Sequence, residues 1–350
     1  MNYLFNKSFE KNIIITDVIS NKFNIVYEGD ISEYYTHQNA YYIITPNIIM
    51  EHFTSNQDNI FTETNFFGPT ICSSILFNCL LELDSYNYEN IIKLCKDEIK
   101  KFDLNKNIYL DTEEEWYNKF LKDNINKSSN DCYLMEISIF IATTAKTIDE
   151  LIENAYDFVS NISENSVKIL SFINMSIILF FSKKHLIDNK SLYKPNKWIN
   201  LLIDLYINNV IDNKIINKNH ISDKKKMLFM LIKYSESKYS NLDFPHEKIK
   251  NLDNCFITKI ENTEKFIPGM TADQCFLISI NNFNSVNTWL GIISHTALSY
   301  LNVKHITLLS SWLYFSNNEV DMHKSFDNIL NSIKKIDEFS ENISKFKTYN

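Results

Sequence analysis

Only four glycines and five prolines punctuate 350 residues, and that scarcity constrains the fold more than any single motif does. A sheet-rich chain of this length needs many tight reversals, and reversals draw on residues that reach positive φ or pre-set a turn. Long segments instead carry apolar residues three and four apart, so the chain reads as all-α. After Asn87, the residues Ile91, Cys95, Ile99 and Phe102 form one such stripe, and Leu290, Ile293, Ala297 and Leu301 form another. Two helix starts carry capping boxes, Thr112 to Glu115 before Trp116 and Thr147 to Glu150 before Leu151, where the Thr caps and the Glu reaches back. The segment from Asn12 to Tyr27 suits either a short strand or a first helix.

With 45% hydrophobic and 14% aromatic residues, the chain has enough apolar material for a packed core. No repeat or linker divides it, so residues 1–350 are expected to form one domain. Residues 213–240 are polar and lysine-rich around the apolar patch Met227 to Ile232, the best candidate for a surface loop or inserted helix. The most apolar run, Ile169 to Phe181, falls short of the ~20 residues a bilayer requires and reads as a buried core helix. The opening Met-Asn-Tyr-Leu-Phe-Asn-Lys lacks a signal-peptide design. A cytoplasmic protein without membrane association is therefore expected. The six cysteines, Cys72, Cys79, Cys95, Cys132, Cys255 and Cys275, show no close pairing, which implies buried free thiols in a reducing compartment rather than a zinc site.

All 35 basic residues are lysine. Bidentate guanidinium forks are thus unavailable, and the excess of Asn, Ile and Lys points to an A- and T-rich genome, viral, protozoan or bacterial. For a viral protein the location becomes the host cytoplasm or the virion. The net charge is −8, and no cluster of lysines is interleaved with aromatics, so nucleic acid is excluded as a partner. Lys224 to Lys226 reads as a solvated helix end.

Four separated stretches carry further information. Glu28 to Tyr35 places Gly29 and Asp30 before Tyr34 and Tyr35; Phe66 to Thr70 leads into an apolar helix, Ile71 to Leu83. Leu134 to Lys183 strings together a helix, the capped helix from Thr147, the turn Ser163 to Val167 and the apolar helix after it. Pro268 to Phe315 contains Ser285, Val286, Asn287 and Thr288 ahead of a small-residue helix and a Trp-containing segment. In order and spacing these stretches together resemble the ADP-ribosylglycohydrolase family.

The resemblance implies a single globular orthogonal helix bundle and, in active members, cleavage of ADP-ribose conjugates by two magnesium ions held on aspartate-bearing loops. Here Phe67, Gly68 and Pro69 stand where the family has a hydroxyl and two aspartates, and Ser285 and Asn287 stand where its last motif has aspartates. No Asp or Glu lies between Glu63 and Glu82, nor between Asp273 and Glu319, so shifting either motif recovers no carboxylate. Magnesium takes hard oxygen ligands and needs carboxylates to offset its dehydration. No metal, cofactor or catalytic residue is therefore expected. Asp30, Tyr34, Thr70, Ser285, Asn287 and Thr288 remain candidates for ligand contact, with Tyr35 and His37 near the same cleft. Asp273 could meet a ribose or bridge a loop but better suits helix capping or turn hydrogen bonding; Glu63 could be drawn toward the site but better suits solvent exposure; and His295 suits an ordinary core or surface position, since its neighbour Ser294 points about 100° away on a helix.

The leading expectation is a pseudoenzyme of this family, retained to bind ADP-ribose, an ADP-ribosylated protein or another protein. Two alternatives stay open: an active hydrolase with an unusual site, and an unrelated helical interaction or virion structural protein.

Overall fold

The computed structural model describes residues 75, 76, 78–80, 82–103, 134–187, 196–211, 221–236 and 271–285, with 292, 309, 310 and 313. Among these residues every regular element is an α-helix and none is a strand, in agreement with the all-α reading. The helices are α1 (Tyr88–Asp103), α2 (Ile137–Thr144), α3 (Ile148–Ile162), α4 (Ser166–Ile187), α5 (Asn196–Ile207), α6 (Ile221–Glu236) and α7 (Ala272–Ser285).

Side-chain caps open several of them. The Asn87 Oδ1 accepts from the Asn90 backbone N–H at 2.9 Å and begins α1. At α3 the Thr147 Oγ1 accepts from the Glu150 N–H at 3.2 Å, as the sequence leads one to expect. The Glu150 carboxylate reaches back one residue further than a standard capping box, accepting from the Lys146 N–H at 2.8 Å. Asn165 caps α4 through bonds from Val167 and Lys168 N–H groups at 2.9 and 3.1 Å.

Among the described residues, scarcity of glycine shows at two positions of positive φ. Asn209, at φ 56°, turns the chain after α5, and Asn is the non-glycine residue that best tolerates this region. Leu134, at φ 63°, opens the turn into α2 and is 1% exposed; its packing holds a conformation that costs a branched residue ~1–2 kcal/mol.

The centre of the fold is α4. Ile169, Leu170, Phe172, Ile173, Met175, Ile177 and Ile178 are all buried, so the helix is apolar around its circumference and not along one stripe. It packs against α2, α3, α5, α6 and α7. Phe172 stacks on Phe158 of α3, centroids 5.5 Å apart, and Phe158 meets Tyr88 of α1 edge-on at 6.2 Å. No helix among the described residues is long and apolar enough to cross a membrane. Cys79, Cys95 and Cys275 are buried and free; Cys72, Cys132 and Cys255 lie outside the described residues.

Within residues 213–240, α6 places Met227, Met230, Leu231 and Tyr234 in the core and packs on α4 and α5. The capping box at Thr112, the segment Asn12 to Tyr27 and the stripe from Leu290 to Leu301 fall outside the description, apart from Ile292, which is helical and buried.

Candidate functional site

Polar groups inside an apolar bundle mark the places where the chain does something other than pack, because each must find a partner or lower stability. Two side-chain pairs fix the walls around α4 and α7. The Tyr206 hydroxyl of α5 donates to the Asn174 Oδ1 of α4 at 2.9 Å, and the Tyr234 hydroxyl of α6 donates to the Asn281 Oδ1 of α7 at 3.1 Å. All four residues are buried. The amide nitrogens of Asn174 and Asn281 have no acceptor, and Asn282, the next residue along α7, is fully buried with neither amide atom paired.

The helix carrying this concentration is enclosed: every residue from Thr271 to Asn282 is buried. Its N-terminal turn is tied by Asp273, which accepts from the Thr271 hydroxyl and from the Gln274 N–H, the latter at 3.0 Å. These are turn hydrogen bonds, one of the two local roles that the sequence suggests for Asp273. Toward its other end, Phe283 lies parallel to Trp198 of α5, centroids 5.7 Å apart and planes 1° from parallel. Ser310 adds a hydroxyl bond to the Ser279 carbonyl at 3.0 Å.

A second polar joint links the starts of α4 and α6, where Ser166 Oγ donates to Asp223 Oδ2. Lys168 and Lys224 beside it are 4% and 6% exposed. The amides of Asn174, Asn281 and Asn282 are neutral and buried, and neutral amides are poor ligands for a hard divalent cation. Glu136 and Asp273 are the fully buried carboxylates among the described residues.

Of the residues singled out in the sequence, Ser285 ends α7. Asp30, Tyr34, Tyr35, His37, Glu63, Phe67, Gly68, Pro69, Thr70, Asn287, Thr288 and His295 lie outside the described residues. The buried amides were missed in the sequence. Their signal was present, an Asn inside the apolar run around Asn174 and a doubled Asn between Ile280 and Phe283.

No family model matches the chain. Over 193 residues it is 29% identical to Reticulocyte-binding protein homolog 1 of Plasmodium falciparum (isolate 3D7), a match covering 52% of this chain and 6% of that protein. The chain thus corresponds to a small fraction of the length of this relative.

Proposed function

We propose that the chain is an ADP-ribosylglycohydrolase-like helical protein that lacks metal-dependent hydrolysis and is retained for binding a ligand or a protein. The observation that supports this reading is the composition and placement of α7. It leads, buried throughout Thr271 to Asn282, to Ser285, where the segment aligned with the family's last motif begins. Its carboxylate, Asp273, is twelve residues away, about 18 Å along the helix axis, and is engaged at Thr271 and Gln274. Ser285, Val286, Asn287 and Thr288 bring no negative charge. These residues do not fit a two-magnesium centre, whose ions need carboxylates both to stay bound and to activate water. Neutral hydroxyl and amide groups suit recognition of a sugar or an amide instead.

Calorimetry of the full chain with ADP-ribose tests the reading. Equal heat in magnesium and in chelator is expected, together with no release of ADP-ribose from a modified substrate. Magnesium-dependent turnover would overturn it. A titration with neither heat nor turnover would favour a second reading, a helical interaction protein, for which the 193-residue likeness to the Plasmodium protein is the motivating observation.

A further inference from the structure

Among the described residues, large hydrophobic side chains stand exposed at Leu201, Ile207 and Phe229, on α5 and α6, which pack against each other. Ile207 is 59% exposed and Phe229 51%, so neither is merely skirting the edge of the core. Helical spacing places Ser222, Lys225, Lys226, Phe229, Lys233 and Glu236 within one arc of about 100° on the outer face of α6. All six are exposed, while Met227, Met230, Leu231 and Tyr234 occupy the opposite, buried face.

The result is an aromatic ring set among lysines on a protein whose net charge is −8. Lys233 Nζ lies 5.6 Å from the Phe229 ring centroid. Acidic neighbours hold these lysines only loosely: Lys226 to Asp223 and Lys233 to Glu236 are both 3.5 Å contacts between partly exposed groups, and such surface pairs contribute little. A partner with better-placed carboxylates displaces them at small cost.

We propose that the outer face of α6 is a docking surface for an acidic, amphipathic segment of another protein, whose carboxylates stay clear of the exposed Asp204 that lies between Leu201 and Ile207 on α5. Lys225 and Lys233 are eight residues apart, about 12 Å along the axis, a span that a short helix or strand covers while seating one apolar residue against Phe229. A second copy of this chain is a poor occupant, because a two-fold axis through Phe229 sets Lys225 opposite Lys233. A nucleic acid or an anionic membrane brings negative charge beyond the lysine arc to a chain whose net charge is −8, whereas a compact segment keeps its carboxylates within a screening length, ~8 Å, of the lysines. This face uses none of residues 285–288, so it stands or falls apart from the ADP-ribose reading.

The experiment is a fluorescence-anisotropy titration of a labelled synthetic peptide, an amphipathic helix of Glu and Leu, with the full chain. Saturable binding that weakens with salt is expected. Lys225→Glu with Lys226→Glu, and separately Phe229→Ser, should each weaken it about tenfold while leaving the helical circular dichroism unchanged. The proposal is overturned by absence of binding, by equal affinity for a scrambled peptide of the same charge, or by binding that survives both sets of substitutions. Binding of oligothymidylate or phosphatidylserine vesicles with the same sensitivity to those substitutions would overturn it as well.

Discussion

Asn281 accepts a hydrogen bond from the Tyr234 hydroxyl at 3.1 Å while its own amide nitrogen is buried without an acceptor. The pair joins α6 to α7 inside the core. Removing the phenol oxygen strands the Asn281 carbonyl oxygen in an apolar setting, and that desolvation loss outweighs the modest net value of an ordinary hydrogen bond. Tyr234→Phe should therefore lower the free energy of unfolding by about 1–3 kcal/mol. The measurement is a urea titration, with a lower midpoint and an unchanged slope. A midpoint equal to that of the parent would mean that the bond does not form in solution.

One residue further along α7 the sign reverses. Asn282 is fully buried and neither amide atom is paired, so no bond is lost when the amide is replaced by an apolar group of similar size. Asn282→Leu is expected to stabilise the chain by about 1–3 kcal/mol, the penalty for a buried, unmatched polar group. A rise in thermal midpoint checks this. Destabilisation would show that the amide is satisfied in solution, and the contrast with Tyr234→Phe would disappear.

The helical class, the buried free thiols of Cys79, Cys95 and Cys275 and the burial of α4 were legible in the sequence for a common reason. Each follows from local composition: few turn residues, thiols within apolar periodicity, and an apolar run too short to span a bilayer. Thr147 was legible because a cap depends on residues three apart. Asn165 stands in the sequence only as part of the turn Ser163 to Val167, although its side-chain amide oxygen makes it the cap of α4. What stayed illegible depends on contacts between distant residues. Ser166 and Asp223 are 57 residues apart, and nothing in either neighbourhood announces the other. Tyr206 with Asn174, and Tyr234 with Asn281, are paired by packing angles that single-helix periodicity does not carry.

The α3 cap supports a separate test because both of its halves are visible. Thr147→Ala removes the acceptor for the Glu150 N–H and should cost about 1 kcal/mol, the usual value for such a cap. Thr147→Ser keeps the oxygen and should restore most of it. Glu150→Ala removes the acceptor for the Lys146 N–H and is expected to cost less, because that donor is exposed and water replaces the carboxylate. Denaturant midpoints in the order parent, Ser, then Ala bear this out; a Thr147→Ala midpoint matching the parent would assign α3's stability entirely to its buried face.

Alkaline pH should destabilise the chain through groups that the core keeps protonated. Burial pushes the Cys79 thiol far above its ordinary value of 9.0, with Glu82 adding to the effect; burial does the same to Cys95, with Cys79 nearby contributing. Burial, then the 2.5 Å hydrogen bond to Asp157, raises the Tyr86 phenol above its ordinary 10.0. Once the pH exceeds 9, an unfolded chain releases the thiol protons that the folded chain retains. The unfolded state then binds fewer protons, and stability falls with rising pH, by up to about 1.4 kcal/mol per pH unit for each thiol. Below the unfolded values these groups impose no pH dependence, so the loss should begin near pH 9 and grow steadily above it. Cys95→Ala should be less stable at pH 7, because it leaves a cavity, yet show a shallower decline between pH 9 and 10.5. In urea titrations across that range, an identical slope for parent and variant would remove Cys95 as a cause. Slow labelling of Cys79 and Cys95 in native protein by a thiol reagent at pH 8, resolved by peptide mass, and fast labelling of both in urea would confirm that packing withholds these thiolates.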